Sequence, residues 1–251
     1  METPFHISGK NVLVTGASSG IGRQVAISIS QMGGKVVLTG RDEQRLKETL
    51  SKMRGDGHLS IPADLLTEDD RERLVNELPE LHGVVHCAGV VKPYPIKFLN
   101  QKKIDETLNI NYEIPVLLMA GISSKRKLAD KASIVFMSSI SGQHPHIGGA
   151  IYAGAKAALE SFSKVVALEF SNKGIRSNCI SPGMVKTAMY EEAEEGMSKE
   201  IMDAHVNRYP LGVGYPEDVA NTVVFLLSDA SRWITGINIT LDGGFLLKQH
   251  V

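Results

Sequence analysis

Hydrophobic and polar positions follow two alternating patterns along the whole chain. Short runs of β-branched and aliphatic residues predict strands, and longer stretches with apolar residues every three or four positions predict amphipathic helices. The runs predict seven strands, at 11–15, 35–39, 58–62, 83–87, 133–138, 176–180 and 237–241. Helical spacing lies between them, at 21–32, 42–53, 67–78, an interrupted region at 101–123, 149–172 and 216–228.

The repetition of strand and helix predicts an α/β fold with a doubly wound, seven-stranded parallel sheet and helices on both faces. An α/β chain of 251 residues commonly folds as one unit, so 1–251 is predicted to be a single domain. Only the stretch at 186–210, rich in Glu, Met and Lys, fits neither a strand nor a buried helix. We expect it to be an excursion on the surface.

The charge balance and the cysteine content narrow the classes of partner. Lys and Arg number 27 against 28 for Asp and Glu, which disfavours nucleic acid and anionic lipid as partners. The longest apolar run, 114–122, is about half of what a membrane span requires. Cys87 and Cys179 lie far apart, and the start of the chain lacks a secretory pattern, so we expect a cytoplasmic protein without a metal site.

A glycine-rich turn, with Gly16, Gly20 and Gly22, joins the first predicted strand to the first predicted helix. Glycine lets the backbone approach a pyrophosphate closely, and a helix N-terminus offers free N–H groups and a positive dipole end. The turn therefore predicts a dinucleotide site of the Rossmann type. The same residues also satisfy the G-x-S-x-G turn of α/β-hydrolases, but that turn follows earlier strands, and its acid and histidine follow later in the chain.

The end of the second predicted strand, Gly40-Arg41-Asp42, lies where a dinucleotide site reads the adenosine ribose. An NAD enzyme often places an acid where this chain has Gly40, and the guanidinium of Arg41 suits a 2′-phosphate. NADP(H) is therefore favoured, with NAD(H) as the alternative. The competing interpretation is that Arg41 is a solvated residue before a helix capped by Asp42.

Tyr152 and Lys156 are spaced i, i+4 near the start of a predicted helix, so they share one face. A neighbouring ammonium favours the phenolate, and we expect Lys156 to lower the pKa of Tyr152 toward the range of an acid-base catalyst. Ser139 ends an apolar strand thirteen positions before Tyr152. Its hydroxyl is predicted to hold a substrate oxygen at the carboxyl edge of the sheet.

Taken together, these motifs resemble the short-chain dehydrogenase/reductase family over nearly the whole chain. The tail, with runs at 216–220, 234–236 and 242–244, is most similar to 3-oxoacyl-acyl-carrier-protein reductases. The resemblance implies four catalytic residues, namely Asn111, Ser139, Tyr152 and Lys156. It implies that the cofactor contacts Gly16, Ser18, Ser19, Gly20, Ile21, Gly22, Arg41, Asp64, Leu65, Ala88, Gly89, Tyr152, Lys156, Pro182, Gly183, Val185 and Thr187.

The function that the resemblance implies is NADP(H)-dependent reduction of a carbonyl, or oxidation of the alcohol, on a 3-oxoacyl thioester. Acyl-carrier protein is then a candidate partner, because 125–131 and Lys173 form a basic cluster that Asp130 interrupts. Two alternatives stay open. In the first, the substrate is a sugar, a steroid or another small alcohol. In the second, the protein binds a dinucleotide without catalysis, although the intact catalytic set argues against it.

Three further expectations concern assembly and details of the site. Apolar residues on more than one face of the 149–172 helix predict a homo-oligomer, a tetramer by resemblance. The 186–210 segment is expected to be a mobile lid, with one apolar side formed by Met189, Met197, Ile201 and Met202. His86-Cys87 stands where the family usually has two asparagines, which predicts weaker cofactor binding with the chemistry preserved.

Overall fold

The computed structural model describes residues 3–196 and 198–250. Its centre is a parallel sheet with the strand order β3-β2-β1-β4-β5-β6-β7. The strands are β1 (Asn11–Thr15), β2 (Lys35–Gly40), β3 (Leu59–Pro62), β4 (Leu81–His86), β5 (Leu128–Met137), β6 (Arg176–Pro182) and β7 (Asn238–Leu241). The predicted seven-stranded, doubly wound fold is confirmed.

Helices connect the strands and cover both faces of the sheet. They are α1 (Gly20–Gln31), α2 (Glu43–Ser51), α3 (Glu68–Glu77), α4 (Gln101–Leu108), α5 (Ile114–Ser124), α6 (Ala150–Glu169), α7 (Ala188–Glu195), α8 (Lys199–Val206) and α9 (Pro216–Leu227). A π-helical turn, Asn109–Glu113, joins α4 to α5, which explains the interruption in the predicted helical pattern. Two of the predicted helices, 42–53 and 67–78, begin where the sequence indicates, since Asp42 caps α2 and Thr67 caps α3.

The core consists of two apolar layers, one on each face of the sheet. Side chains of β1 alternate between them, with Leu13 on the face covered by α3, α5 and α6. Val12 and Val14 belong to the opposite layer, which α1 and α9 cover. This alternation follows from the period of two along a strand. It leaves both faces of the central strands buried, as a parallel sheet requires.

The strand order reverses between β1 and β4, because β2 and β3 lie to one side of β1 and the later strands lie to the other. The connections after β1 and β4 therefore leave the sheet in opposite directions and open a crevice at its carboxyl edge. This crevice brings the glycine-rich turn after β1 next to residues 87–90 after β4. The fold thus places the predicted cofactor motifs at one location.

The 186–210 segment differs from the sequence prediction because it contains two regular helices, α7 and α8. Ser198 caps α8 by accepting a hydrogen bond from the Ile201 amide. The predicted apolar side does not form, since Met202 is buried whereas Met189 and Ile201 are exposed. Neighbouring positions 201 and 202 point in different directions on a helix, so they do not share a face. Met197 lies outside the described residues.

Candidate active site

An open cleft of about 270 Å³ lies at the carboxyl edge of the sheet, above β1 and β4. Many of the residues predicted to bind a cofactor line it. They are Gly16, Ser18, Ser19, Gly20, Ile21, Gly22, Arg41, Asp64, Leu65, Ala88, Gly89 and Thr187. Five predicted contacts lie outside this lining, on α6 or on the end of β6 and the loop after it, namely Tyr152, Lys156, Pro182, Gly183 and Val185.

The glycine-rich turn has the geometry that a bound pyrophosphate requires. Gly16 has a left-handed φ of +66°, and a Cβ there would lie 2.9 Å from the Ala88 nitrogen. A Cβ on Gly22 would collide with the Gly16 carbonyl. Ser19, at the start of α1, makes no side-chain hydrogen bond to the helix, so its side chain does not occupy the N–H groups of the first turn. The cradle therefore fits a dinucleotide phosphate.

Arg41 lies at the rim of the cleft, directly after β2, and its side chain is exposed. It has no ion-pair partner within the part of the chain that the structure describes. Gly40 packs close to Ser18, since a Cβ on Gly40 would lie 3.3 Å from the Ser18 hydroxyl. An acidic side chain at position 40 would therefore crowd the glycine-rich turn, whereas Arg41 is free to reach a ligand.

Tyr152 and Lys156 lie one turn apart on α6, beside the end of β5. Ser139 lies close enough to the Tyr152 hydroxyl to lower the pKa of that hydroxyl. Lys156 is buried, with its Nζ 5.5 Å from the Tyr152 ring centroid, and it donates a 2.9 Å hydrogen bond to the Met137 carbonyl. The structure therefore brings together Ser139, Tyr152 and Lys156.

Burial controls the protonation of this pair. It raises the pKa of Tyr152 to about 12, and Ser139 acts in the opposite direction. Burial also lowers the pKa of Lys156 to about 8. The expected net lowering of the Tyr152 pKa by Lys156 is wrong for this structure, because desolvation of the phenolate outweighs the other effects. Tyr152 is therefore a protonated phenol at neutral pH.

Asn111 is fully buried in the π-helical turn. Its side-chain amide donates to the carbonyls of Val90 and Thr107, each at 2.9 Å, and its Oδ1 accepts from the Val90 amide at 3.3 Å. A Cβ on Gly89 would lie 2.9 Å from Asn111 Oδ1 and 3.5 Å from Lys156 Nζ. Asn111 thus fixes the loop after β4 and lies across Gly89 from the buried ammonium.

The His86-Cys87 pair at the end of β4 has two separate environments. The buried His86 ring stacks on Phe136 with centroids 4.7 Å apart, and its Nε2 has no hydrogen-bond partner among the described residues. Burial lowers the pKa of His86 to about 3 and raises that of Cys87 to about 12. The Thr15 hydroxyl accepts from the amides of Cys87 and Ala88, both at 3.1 Å. The backbone of this loop is therefore satisfied without an asparagine side chain.

Sequence reasoning missed Glu160, which lies one turn beyond Lys156 on α6. Its Oε1 accepts from the hydroxyls of Ser138 at 2.8 Å and Ser181 at 3.3 Å, and its Oε2 accepts from Gln143 at 3.1 Å. It thus joins β5, β6 and the loop after Ser139 to the helix that carries Tyr152. The i, i+4 spacing from Lys156 is a usable signal, because it places an acid on the inward face of α6.

No group of three or more metal-ligating side chains occurs in 3–196 and 198–250. None of the helices in the described part of the chain is long and apolar enough to cross a membrane.

The known proteins that this chain resembles are mostly described as reductases or dehydrogenases. The family described as enoyl-(acyl carrier protein) reductase matches residues 16–246. The chain is 33% identical to a tropinone reductase homolog of Arabidopsis thaliana over 99% of its own length and 97% of the relative. It is 31% identical to 3-oxoacyl-acyl-carrier-protein reductase FabG of Rickettsia felis, covering 96% and 98%. A crystal structure described as a putative NAD(P)-dependent gluconate 5-dehydrogenase of Beutenbergia cavernae, with bound NADP, superposes with a TM-score of 0.89 at 26% identity, covering 98% and 100%.

Proposed function

Because the chain belongs to the short-chain dehydrogenase/reductase family and is an enzyme of that type, we propose that it is an NADP(H)-dependent carbonyl reductase. The family uses nicotinamide dinucleotides. The observation that carries the proposal is the position of Tyr152 one helical turn from the buried Lys156 and close to Ser139, next to a phosphate cradle. The reaction runs as carbonyl reduction or, in reverse, as oxidation of the alcohol.

We propose that residues in and beside the cleft hold a dinucleotide in an extended conformation. The glycine-rich turn and the N-terminus of α1 would hold the pyrophosphate, and Asp64 with Leu65 would lie beside the adenine. Ala88 and Gly89 would contact the ribose side, and Val185 with Thr187 the nicotinamide amide. When bound, the nicotinamide supplies or accepts the hydride.

The chain's own residues manage the proton and the substrate oxygen. Tyr152 carries a proton at neutral pH, since its pKa is about 12, and it would donate that proton to the substrate oxygen as the alkoxide develops. The hydroxyl of Ser139, which lies close to Tyr152, would hold the same oxygen. Lys156 would stabilise the phenolate that remains and hold the ribose, and Asn111 would keep the adjoining loop in place for the proton relay.

Preference for NADP(H) is part of the proposal, with NAD(H) as the alternative. The exposed, unpaired guanidinium of Arg41 at the cleft rim supports it, because arginine binds phosphate oxygens in a bidentate manner. The absence of an acid at Gly40 removes the group that would repel a 2′-phosphate.

For the substrate we propose a 3-oxoacyl thioester, supported by the similarity to FabG. A sugar, steroid or other small alcohol is the second candidate, and the likeness to proteins described as a tropinone reductase homolog and a gluconate 5-dehydrogenase favours it. Acyl-carrier protein as a partner has weaker support, because Lys127 of the basic cluster donates to the carbonyls of Asn76 and Leu78.

We also propose a cytoplasmic homotetramer. Cys87 and Cys179 are both free thiols, which supports a reducing compartment. Val165 and Leu168 of α6 and Leu117 of α5 are exposed apolar side chains, 45%, 75% and 49% exposed, and they support an interface on these helices. Light scattering that gives a monomer at micromolar concentration would overturn the assembly.

The test is turnover with NADPH and NADH over acyl thioesters, sugars, steroids and small ketones, with Tyr152→Phe as the decisive variant. We expect the variant to lose about 10²- to 10⁴-fold in kcat while NADPH binding by calorimetry stays unchanged. Tyr215→Phe, which alters an exposed hydroxyl bonded to Lys186, is the matched control. Parent-like turnover by Tyr152→Phe would refute the assignment.

A further inference from the structure

A cluster of cationic and imidazole side chains lies beside the loop that follows Ser139. His146 belongs to this loop, and its Nδ1 is 3.4 Å from the hydroxyl of Ser141. The ring is fixed against the backbone, since a Cβ on Gly149 would lie 2.8 Å from its Cε1. His146 nevertheless remains exposed, so its other ring nitrogen is available to a ligand.

The C-terminal end of α8 supplies the other half of the cluster. The half-buried His205 ring lies 5.7 Å from the Tyr209 ring and 5.4 Å from the Phe245 ring, measured between centroids. The Arg208 guanidinium lies 4.2 Å from the centroid of Phe245. These aromatic contacts hold an imidazole and a guanidinium in fixed positions on one wall.

The two halves lie within electrostatic reach of each other. Ile140 packs against Tyr209 and Phe245, which places the loop after Ser139 beside the aromatic rings that hold His205 and Arg208. Burial lowers the pKa of His205, and electrostatic interactions with Arg208 and His146 act in the same direction. Lys248 adds a further cation to the same wall, because its Nζ donates to the Asn207 carbonyl at 2.8 Å.

The wall touches the catalytic region from two sides. Ile140, next to Ser139, packs against the apolar cluster of Tyr209 and Phe245. The Tyr209 hydroxyl accepts a 3.0 Å hydrogen bond from the Met184 amide, directly after Gly183. The cationic cluster is therefore connected both to the loop that carries the proposed oxygen-binding serine and to the segment proposed to face the nicotinamide.

Arg208 and Lys248 are the permanently cationic side chains of the cluster. In the described part of the chain neither Arg208 nor Lys248 forms an ion pair. The nearby Asp242 uses its two oxygens to accept from the amides of Gly244 and Leu246, at 3.0 and 2.9 Å. A guanidinium that forms no ion pair within the described residues and is held on an aromatic ring beside a reaction site is suited to bind an anion.

We propose that His146, His205 and Arg208 bind an anionic group of the substrate and so select charged carbonyl compounds over neutral ones. This inference rests on the proposed function. The shared chemistry is a carboxylate or phosphate that accepts hydrogen bonds from a guanidinium and two imidazoles. A free 3-oxo acid carries the first, and a coenzyme A thioester carries the second.

Two matched substrate pairs separate these sources: acetoacetate with its methyl ester, and acetoacetyl coenzyme A with its N-acetylcysteamine thioester. We expect Arg208→Gln to raise KM for the anionic member of one pair about 10- to 100-fold, as for loss of a charged hydrogen bond. The neutral member should keep its KM, and kcat should be unchanged for both. The pair that responds identifies the anion. His146→Gln and His205→Gln should show the same selectivity with smaller effects.

Arg232→Gln, which alters an exposed arginine outside the cluster, is the control and should change neither pair. Calorimetry of acetoacetate and methyl acetoacetate with the NADP⁺-loaded Tyr152→Phe variant measures selection without turnover. Selective binding there that Arg208→Gln removes would support the anion site even if the proposed reaction failed. Equal effects of Arg208→Gln on both members of each pair would overturn it.

Discussion

The buried imidazole of His86 predicts an acid-sensitive fold. His86 is 3% exposed, stacks on Phe136, and has an Nε2 without a hydrogen-bond partner in the part of the chain that the structure describes. Protonation would place a cation in the apolar layer that contains Phe136, so the pKa falls from 6.5 to about 3. The unfolded chain takes up this proton first. Stability from this group is therefore complete above pH 6.5 and is lost as the pH falls toward 3.

The magnitude follows from the two pKa values. Between them the free energy of unfolding changes by about 1.4 kcal/mol for each pH unit. From pH 7 to pH 5, the loss assigned to His86 is about 2 kcal/mol, because the unfolded state is only partly protonated at pH 7. This is a large fraction of the stability of an ordinary domain.

The assay is urea unfolding followed by circular dichroism at pH 7 and pH 5. His86→Phe keeps the ring stacked on Phe136 and removes the titrating group, so we expect the parent to lose about 2 kcal/mol more than this variant. His144→Gln, at an exposed histidine in the loop after Ser139, should behave like the parent. If His86→Phe and the parent lost equal stability between the two pH values, the burial argument would be refuted.

Three further outcomes are expected. Arg41→Ala should weaken NADPH binding about 10- to 100-fold, measured by calorimetry, and leave the affinity for NADH unchanged. Tighter binding of NADH than of NADPH by the parent protein would contradict this. Arg45→Ala is the control. Glu160→Ala should lower the unfolding free energy by about 1–3 kcal/mol for each donor left unpaired, and it should also reduce kcat. Glu160→Gln keeps an acceptor for Ser138 and should therefore recover kcat. The 186–210 segment should exchange amide hydrogens rapidly in the free enzyme and slowly with cofactor and substrate present; slow exchange without ligands would indicate a fixed wall.

Local patterns predicted most of the fold because each one reports a local physical requirement. The apolar run of β1 is a buried strand, and the glycine-rich turn adopts at Gly16 a left-handed backbone that favours glycine. The early part of β5 was missed, because Asp130 and Lys131 interrupt its apolar run where the pairing with β4 shifts register. Lys131 also has a positive φ of 61°, which no hydrophobic pattern reveals.

The candidate site was predictable as a set of residues but not as an electrostatic environment. The spacing of Tyr152 and Lys156 indicated a shared face, yet the direction of the Tyr152 pKa depends on burial that only the packed structure provides. The hydrogen bonds of Glu160 and the packing of Ile140 against Tyr209 and Phe245 depend on contacts between segments distant in the chain. Side-chain type and helical spacing carry no information about such contacts.

The π-helical turn at Asn109–Glu113 has a consequence for how this region tolerates change. A turn closed by i→i+5 bonds contains one residue more than the α-helical turn it replaces, and each residue rotates a helix by about 100°. The extra rotation lets the polar α4 and the apolar α5 follow each other without a loop, while their side chains point in different directions. Point substitutions in either helix leave that angular offset intact. A one-residue deletion would instead rotate the buried face of α5 by about 100° relative to α4 and Asn111.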